Sequence, residues 1–570
     1  MKDVLATTTA TTHRQTEATG EGHQPFVGRQ VWLSQAEFIQ LKWDANYWKA
    51  QHERSCAREA ALKQELAYKE AKIRDLKQRL FGKKSEKSAA GQTPVNLDLQ
   101  TVKRPRGQQT GSRGHGRTER PYLREEEEVR DLADDARCCV QCGLPYDPFP
   151  GTEDSKIFEI EVRAYKRHIK RRRYQQGCAC PHSGHPGIIT AAIAPKVIPK
   201  SPYGVSVWEQ ILLGKFLYAQ PLNRILQDMN SLGLSIASGT LTGGLQKLAP
   251  LLEPIYQALY LQQMSEDLFH NDESRWEVYE AVDGKVGHRW YLWVTRSHHV
   301  VYYVMDPSRS AAVPMTHFAE LKSDQAIVVC DRYSAYKKLA RLNDKITLAI
   351  CWAHVRRDFL AIARGFPDLK DWGLDWVETI GTLYHLNQQR LAAWQTGTQT
   401  QSAAFQQAQA VLEKHLQHMK ARCDACLQSD QPDSEHSVQH HSLHNEQRKV
   451  LSSLQNHWQG LTVFLNHPQT PMDNNAAERA IRNPVTGRKN YYGSGSIWSA
   501  KLAAMMFSIF QTLALWQINP RHWLRTYLQA CADHGSQAPD DIKPFLPWAM
   551  DAARRQQLSR PPDTSNLTPL

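Results

Sequence analysis

The sequence predicts an α/β protein built from several domains. From residue 268 the apolar residues alternate with polar ones through "WEVYEAV", "HRWYLWV" and "HVVYYVM", which predicts an antiparallel meander. Two short apolar runs, "AIVVC" and "ITLAIC", follow and predict buried strands. Helical patterns flank this region on both sides, and 570 residues exceed the usual size of one domain.

Composition indicates a polyanionic partner and argues against a membrane protein. The net charge is +12 and the pI is about 9.1, and cationic surface concentrates a protein near phosphates. The N-terminus lacks the apolar core of a secretion signal, and the apolar run from Leu502 predicts a buried helix. The eleven cysteines include tight pairs, and the chain has no signal peptide, so we expect bound metal or buried thiols and no disulfide framework, in a cytoplasmic protein.

The N-terminal third divides into three segments. Residues 1–32 are polar and Thr-rich, which predicts disorder. Residues 33–90 are predicted to be helical. Residues 91–124 are predicted to form a flexible basic linker. Within the helix a heptad seam is formed by Leu62, Leu66, Lys69, Ile73, Leu76 and Leu80. This seam fits a self-associating coiled coil and equally an amphipathic helix that packs on its own chain.

Residues 125–199 carry paired cysteines and are predicted to form a zinc-binding domain. Zinc requires four ligands in a tetrahedron, and two tight turns bearing two thiolates each supply them. The candidate ligands are Cys139, Cys142, Cys178 and Cys180. Because the second pair is C-x-C, Cys138, His182 or His185 are alternative ligands, and buried free thiols are the other interpretation. "CDAC" at Cys423 and Cys426 is a weaker second candidate.

A basic strand and a helical hairpin follow the first cysteine pair. Residues 163–174 include Arg171, Arg172 and Arg173, which we expect to face DNA phosphates. Residues 200–262 predict a helix, a turn at Gly233 and a second helix capped near Ser238. This spacing suits a helix-turn-helix DNA-binding region, although any helical hairpin shares it. Gly243 and Gly244 weaken the second predicted helix.

Three acids occupy positions from which they can meet. Asp272 is predicted to open the first strand of the meander, Asp331 follows the fourth strand, and Glu478 lies on a later helix. If the first and fourth strands are neighbours in a mixed sheet, both aspartates reach one edge. Three carboxylates at one point repel one another unless cations separate them. Divalent metals, Mg²⁺ in particular, are the usual solution and suit attack on a phosphodiester.

Each acid also has an ordinary interpretation. A glutamate near a helix start is favourable with the helix dipole, and an aspartate at a strand end is a common turn former. The combination of the three in strand, strand and helix contexts favours a metal site. The helix bearing Glu478 is predicted to end at Pro484, and Asp473 is predicted to cap its start.

The chain closely resembles the IS66-type transposases of bacterial insertion sequences. The resemblance runs from about Leu62 to Leu528 and rests on "LKQRLFGKKSEK", "NDESRW", "CDRYSAY", "CWAHVRRDF" and "DNNAAERAIRNPVTGRKNYYG". It implies an RNase H-like (retroviral-integrase-like) catalytic core whose ligands are Asp272, Asp331 and Glu478. The core would comprise residues 263–365 and 467–530, interrupted by a helical insertion at 366–466 and followed by a tail at 531–570. Arg332 stands where the family usually has Gly.

The resemblance also implies a function. It implies a DDE-type transposase that uses Mg²⁺ or Mn²⁺ for 3′ end cleavage and strand transfer, with a structural Zn²⁺. Its expected partners are the terminal inverted repeats, target DNA, further copies of the chain and companion proteins of the same element, all at the nucleoid. Residues expected to contact phosphates are Arg479, Arg482, Arg488 and Lys489, with His354 as an accessory residue. The alternatives are a catalytically inactive zinc-containing DNA-binding regulator and a stand-alone nuclease.

Overall fold

A computed structural model gives the fold of the chain. It describes residues 33–81, 188–284, 286–396, 402–428 and 443–562, together with 127, 129, 131–139, 141–147, 157–158, 160 and 162–175. The chain divides into two compact units, residues 1–84 and 85–570. The predicted disorder of residues 1–32 and the predicted linker at 91–124 lie outside the described residues.

The first unit is one long helix, α1 (Gln35–Phe81). No Pro or Gly occurs between Leu33 and Leu80, so no residue type there interrupts the backbone hydrogen bonds. The apolar seam residues are exposed, with Leu62 at 66% and Leu66 at 60%. Lys69, the polar residue of the seam, pairs with Glu65 at 3.5 Å. Helix α1 therefore presents an apolar stripe that is available for packing against another helix.

The second unit begins with a small hairpin and a set of helices. Strands β1 (Arg173–Gln175) and β2 (Ile188–Thr190) pair antiparallel. Helix α2 (Val205–Leu212) continues into a π-helical turn (Leu213–Leu217), followed by α3 (Leu222–Ser231) and α4 (Ser238–Gln263). The turn at Gly233 has φ +79°, as expected for glycine. A Cβ at Gly244 would lie 1.9 Å from the Trp208 ring, so close packing explains this glycine inside α4.

The central sheet has five strands in the order β5-β4-β3-β6-β7. Its strands are β3 (Leu268–Glu277), β4 (Arg289–Arg296), β5 (Val301–Asp306), β6 (Ala326–Cys330) and β7 (Ile346–Ile350). The first three strands form the predicted antiparallel meander, whereas β3–β6 and β6–β7 are parallel. The first and fourth strands of the sheet are therefore neighbours, the condition under which the two aspartates meet.

The prediction that Asp272 opens the first strand is wrong. Strand β3 begins at Leu268, so Asp272 lies in its middle, and the strand ends at Glu277, before most of "VYEAV". The register explains the early end, because Glu277 pairs with Arg289, the first residue of β4. Beyond that point Val278 forms an isolated bridge with Ser494 instead.

Helices cover both faces of the sheet. Between strands lie α5 (Ala312–His317) and α6 (Ser334–Leu342). Helix α7 (Trp352–Gly365) follows β7, and the predicted insertion then contains α8 (Lys370–Thr396), α9 (Ala403–Gln428), α10 (Asn445–Asn456) and α11 (Trp458–Leu461). The C-terminal helices are α12 (Asn475–Tyr491), α13 (Ile497–Leu515), α14 (Pro520–Asp533) and α15 (Ala552–Ser559). One core, which includes Trp276 and Leu292, packs against α4 and α13, and the other, around Phe269 and Trp293, packs against α6 and α7.

The prediction that Pro484 ends its helix is also wrong, since α12 continues to Tyr491. Proline lacks the N–H that would bond to the carbonyl four residues earlier, which here is that of Ala480. The buried hydroxyl of Tyr303, on β5, donates to this carbonyl at 2.8 Å. A tertiary contact thus satisfies the group that the proline leaves free.

Helix α13 is the apolar helix that the sequence predicted to be buried. It is long and apolar enough to cross a membrane, and it is the one helix with this property among the residues that the structure describes. Twelve of its residues, from Ala500 to Leu513, are buried inside the protein. Such burial is typical of a core helix, so α13 does not indicate a membrane protein.

Candidate active site

Asp272 and Asp331 lie level with one another on neighbouring parallel strands. Each residue of β3 that pairs with β6 is 59 positions before its partner. His270, for example, pairs with Val329 (329 − 270 = 59). Asp331 directly follows β6, and 331 − 272 is also 59, so the same register brings it beside Asp272. Neighbouring strands are about 4.8 Å apart and matched residues share a face. The two carboxylates therefore lie beside one another on one face of the sheet, at the C-terminal end of β6.

Asn474 holds the start of α12 against this edge. Its Nδ2 donates to the carbonyl of Asn271 at 2.6 Å, and its Oδ1 lies 3.2 Å from Nδ1 of His270. Its backbone N–H donates to the sulfur of Cys351, which follows β7, at 3.2 Å. Asn474 is 1% exposed, and its carbonyl accepts from the N–H of Glu478 at 3.2 Å. Glu478 is thus one helical turn from an anchor on the residues just before Asp272.

Asp473, the predicted cap, lies one residue before the N-cap that the structure shows. The N-cap of α12 is Asn474, whose side chain makes no capping hydrogen bond because it is engaged with β3. Asp473 nevertheless accepts from the backbone N–H of Asn475 at 3.1 Å. The acid therefore bonds to the exposed backbone at the helix start, as expected, and its Oδ1 is occupied there.

The site raises the pKa of Asp272 from 3.8 to about 7. Burial is the largest cause, and the neighbouring charge of Glu273 is the second. Asp331 and Glu478 raise the pKa further, while the N–H of Glu273, which donates to Oδ1 of Asp272 at 2.9 Å, opposes the change. The three acids therefore act on one another electrostatically.

Glu478 has two basic residues of α7 as neighbours. Its Oε1 lies 3.7 Å from Nε2 of His354 and 3.6 Å from Nη2 of Arg357. Burial and the Arg357 charge lower the pKa of His354, whereas Glu478 and Asp331 act in the opposite direction. The structure therefore brings the predicted accessory histidine next to the predicted third acid.

Glu273 is an acid of a different kind, although it adjoins Asp272. Successive strand residues face opposite sides of a sheet, so Glu273 points away from Glu478. Its Oε1 accepts from Arg309 at 2.7 Å and its Oε2 accepts from the Tyr336 hydroxyl at 2.7 Å. With both oxygens bonded and its side chain 3% exposed, Glu273 is a buried structural carboxylate.

The three acids fit a divalent cation by charge and ligand type. Carboxylate oxygens are the ligands that Mg²⁺ prefers, and a cation would relieve the repulsion that contributes to the raised pKa of Asp272. Among the described residues no three His, Cys, Asp or Glu side chains converge closely enough to enclose a metal ion. Glu478 is directed to His354 and Arg357 instead.

The cations predicted on α12 differ in their surroundings. Arg479, Arg482 and Lys489 are exposed. Arg482 and Lys489 follow Glu478 by four and eleven residues, so at 3.6 residues per turn they share its side of the helix. Arg488 instead donates to Ser274 at 3.2 Å and to the carbonyl of Arg275, which ties α12 to β3.

Arg332, the departure from the family pattern, is directed away from the acids. Its guanidinium forms an ion pair with Asp358 on α7 and donates to Ser453 on α10 at 3.0 Å. The bulk of this arginine is therefore accommodated between α7 and α10. Asp331 itself accepts from the N–H of Tyr333 at 2.9 Å, as a turn-forming aspartate does.

The structure describes one half of the predicted zinc site. Cys139 and Cys142 lie on a tight turn in which Gly143 has φ +74° and its N–H donates to the Cys139 carbonyl at 2.9 Å. The backbone N–H groups of Cys142 and Gln141 lower the pKa of Cys139, which favours the thiolate that binds metal. Cys178, Cys180, His182 and His185 lie outside the described residues, so the zinc site stays a prediction.

The predicted basic strand lies at the small hairpin. Arg171 and Arg172 precede β1, Arg173 begins it, and all three are exposed. Nε of Arg171 donates to the carbonyl of Ala191 at 2.7 Å, across the hairpin.

Two residues of the site were missed by sequence reasoning. Arg357 lies in "CWAHVRRDF" and Asn474 in "DNNAAERAIR", both of which carry the family resemblance. A basic residue one helical turn after His354 was a usable indication for Arg357. No local pattern distinguishes Asn474 from Asn475, since its role depends on contacts with residues about 200 positions away.

Comparison with known proteins identifies relatives of the chain. The family described as "Transposase IS66 family" matches residues 200–502, just over half of the chain. The uncharacterized protein y4jD of Sinorhizobium fredii is 24% identical over 438 residues, which cover 73% of this chain and 78% of that protein. The uncharacterized protein y4hP of the same organism is 24% identical over 372 residues, 61% of this chain and 63% of that protein. No solved structure matches the chain.

Proposed function

Because the chain belongs to the IS66 transposase family, we propose that it is a DDE-type transposase that cleaves the ends of its own DNA element and joins them to target DNA. The observation that carries this proposal is the shared register of Asp272 and Asp331 on parallel strands, with Glu478 anchored one turn from the same edge. Its expected location is the cytoplasm, at the nucleoid.

The sheet supports an RNase H-like core as part of the proposal. Three antiparallel strands are followed by two parallel ones, and the first strand lies at the centre beside the fourth. This order places the ends of β6 and the middle of β3 together, where α12 crosses. Helix α7, which follows β7, supplies His354 and Arg357.

Asp272, Asp331 and Glu478 are the residues that would hold Mg²⁺ or Mn²⁺. Such an ion, when bound, lowers the pKa of water and stabilises charge on a phosphate. In the proposed reaction a water oxygen bonds to phosphorus, the bond from phosphorus to O3′ breaks, and the element end is left with a 3′-OH. That hydroxyl then attacks a phosphodiester of the target and displaces its O3′. No covalent link between protein and DNA is formed.

The remaining residues have positioning roles in the proposal. The exposed Arg479, Arg482 and Lys489 would hold DNA phosphates beside the carboxylates, since guanidinium and ammonium groups form charge-assisted hydrogen bonds with phosphate. His354 and Arg357 hold Glu478 in the absence of metal. Recognition of the terminal repeats is assigned to residues 200–262 and to Arg171, Arg172 and Arg173. Self-association and companion proteins of the element belong to the same proposal.

A cleavage and joining assay tests the proposal. Purified protein is incubated with Mg²⁺, a labelled duplex carrying the element end, and target plasmid. We expect a nick that leaves a 3′-OH, followed by joined products, and we expect Asp331→Asn to reduce both to background. Asp324→Asn, at an 83% exposed side chain, is the matched control and should retain activity.

Other outcomes of this assay select the alternatives. Tight, specific binding of the element end without cleavage would identify an inactive regulator derived from a transposase. Cleavage with no joined product in the presence of target DNA would identify a stand-alone nuclease. Full activity in Asp331→Asn would exclude the proposed acids as the catalytic centre.

A further inference from the structure

A basic groove lies on the side of the sheet opposite to Asp272. It encloses about 840 Å³ between the segment before α5 and the outer face of α6. Its cations are Arg309, Lys337, Lys338 and Arg341, and the hydroxyls of Tyr333 and Ser334 also line it. No carboxylate is among its lining residues in the described part of the chain. A groove with four cations, hydroxyl donors and no acid suits a polyanion.

The cations of α6 are free to meet a ligand. Lys337, Lys338 and Arg341 are all exposed, and Arg341 follows the two lysines by four and three residues, so its side chain neighbours both on the helix. Within the residues that the structure describes, none of the three forms an ion pair, whereas nearby Lys345 pairs with Asp324 at 2.8 Å. Their charge is therefore not compensated by the protein.

Arg309 is fixed in place at the other wall of the groove. Its Nη2 donates to Glu273 at 2.7 Å, and its guanidinium lies 4.3 Å from the centre of the Tyr333 ring. The Tyr333 hydroxyl donates in turn to the Arg309 carbonyl at 2.7 Å. The side chain is still 47% exposed, so this wall is both preorganised and accessible.

The groove is connected to the proposed catalytic edge. The backbone N–H of Tyr333, a lining residue of the groove, donates to Asp331 at 2.9 Å, so the groove adjoins the second acid. On its other side Arg309 also lines a second groove of about 530 Å³, together with Arg275, His288 and Arg289. The one acid lining this second groove, Glu277, is paired with Arg275 at 2.7 Å. Cations therefore continue along this face on both sides of Arg309.

We propose that these two grooves bind the phosphates of a DNA duplex next to the one that is cut at the carboxylates. A track of exposed cations matches a polymer with regularly repeated phosphates better than an acidic peptide, whose carboxylates depend on sequence. Because contacts with phosphate alone carry no sequence information, the track suits DNA of any sequence. This inference rests on the proposed function, because it assumes that the chain acts on DNA.

The salt dependence of DNA binding tests the inference. The triple variant Lys337→Gln, Lys338→Gln and Arg341→Gln removes three cations of the groove. The matched control Lys370→Gln, Lys414→Gln and Lys543→Gln removes three exposed cations outside the grooves and outside residues 200–262, and it changes the net charge equally. Binding of the full-length protein to a random-sequence duplex is measured from about 50 to 200 mM salt. Each lost phosphate contact lowers the slope of log K against log salt by about 0.9, so we expect a decrease of about 2.7 for the groove variant only.

Several results would overturn the inference. Equal slopes for both triple variants, whether changed or unchanged, would show that the groove has no specific part in binding. Loss of polyglutamate binding in the groove variant, with an unchanged slope for DNA, would assign the surface to an acidic protein. A different result would separate this inference from the proposed function. If the unaltered protein binds DNA without cleaving it, and the groove variant has a smaller slope of log K against log salt, the groove is a DNA-binding surface but the proposed function is wrong.

Discussion

At the scale of single residues, hydrogen bonds separate the candidate catalytic acids from their neighbours. Glu273 has both oxygens bonded on the far side of the sheet, and Asp358 is paired with Arg332. Asp272 and Glu478 instead repel one another electrostatically, and the charged or basic partners of Glu478 among the described residues lie at 3.6 and 3.7 Å. A carboxylate with weak partners is free to bind a metal ion, whereas one with two short hydrogen bonds is not.

The first prediction compares Glu478 with Asp473. Glu478→Gln keeps the shape of the side chain and removes its charge, so we expect the rate of end cleavage to fall by at least about 100-fold. Substitution of a residue that only hydrogen-bonds to a metal ligand typically lowers activity by about 10–100-fold, and the loss of a ligand itself should exceed this. DNA binding should be retained. Asp473→Asn should keep most of the activity, because asparagine can also accept from the N–H of Asn475. The Mg²⁺-dependent cleavage rate measures both, and the opposite ranking would overturn the assignment.

The second prediction concerns the pH dependence of stability in the metal-free protein. The pKa of Asp272 is about 7 in the folded state and 3.8 as the ordinary value, so the folded state binds this proton more tightly. The stability that protonation of Asp272 contributes is therefore present below about pH 4 and lost as the pH rises through about 7. Asp272→Asn should raise the free energy of unfolding by roughly 2–4 kcal/mol at about pH 8, at about 1.4 kcal/mol per pKa unit.

Urea denaturation in the presence of a chelator checks this second prediction. The advantage of Asp272→Asn should shrink towards zero near pH 4. Asp324→Asn should give no such gain, because hydrogen bonding to Lys345 lowers the pKa of that exposed acid. An advantage of Asp272→Asn that does not vary with pH would show that the Asp272 charge is not its cause.

At the scale of secondary-structure elements, α12 depends on contacts with the sheet. Its start is anchored by Asn474, its middle by the Tyr303 hydroxyl at the carbonyl that Pro484 leaves free, and its end by Arg488. Each anchor reaches a strand of the central sheet. The helix is therefore a fixed support for Glu478, and its geometry follows from the strands.

The third prediction tests the anchor at Asn474. Asn474→Ala leaves the buried carbonyl of Asn271 without this donor, so we expect a loss of roughly 1–3 kcal/mol in the free energy of unfolding. We also expect slower cleavage, because Glu478 loses its position. Asn475→Ala, one residue further on, is the control and should stay within about 0.5 kcal/mol. Denaturation and cleavage rates measure the two effects, and equal behaviour of the variants would refute the anchoring role.

The fourth prediction concerns the exposed seam of α1. Leu66→Glu with Ile73→Glu places charge on a stripe that is 60% and 51% exposed in the single chain. If the seam joins copies of the chain, these changes should lower the molecular mass seen by light scattering and abolish pairing of element ends. Ile39→Glu with Trp43→Glu, also exposed on α1 but outside the seam, is the control. An unchanged mass would favour the alternative of an amphipathic helix without self-association.

At the scale of the whole molecule, the sheet collects residues from distant parts of the chain. Asp272 and Glu478 are separated by more than 200 residues, and the helical insertion between β7 and α12 occupies much of that distance. The insertion and α7 share one core against β6 and β7, and α7 presents His354 and Arg357 to the site. The insertion therefore supports the helix that carries these two residues.

The fifth prediction is the zinc content of the whole chain. We expect one Zn²⁺ per chain, held by Cys139, Cys142, Cys178 and Cys180, and its loss on chelation should weaken binding of element ends. Cys423 should not add a second ion, because burial raises its pKa to about 12 and its thiol donates to the Leu451 carbonyl at 3.4 Å. Elemental analysis of the reduced protein and of Cys139→Ser checks this. A zinc-free preparation of the unaltered chain would contradict it.

Periodicity and composition were sufficient for much of the architecture. The strands of the meander, β6, β7, the long helix α1 and the buried helix α13 all follow patterns that single segments contain. The errors arose where a contact from elsewhere outweighed the local pattern. The bridge to Ser494 follows the early end of β3, and the hydroxyl of Tyr303 allows α12 to pass Pro484.

The sequence by itself determined the residue types and their spacing: two aspartates 59 positions apart, a glutamate on a later helix, and motifs of the transposase family. These depend on local chemistry and on shared ancestry, which a linear pattern records. Only the tertiary structure decided that the 59-residue spacing equals the register of two parallel strands, that Asn474 anchors α12, and that Glu273 is bonded elsewhere. These features come from hydrogen bonds between residues distant in the chain, and no local pattern contains them.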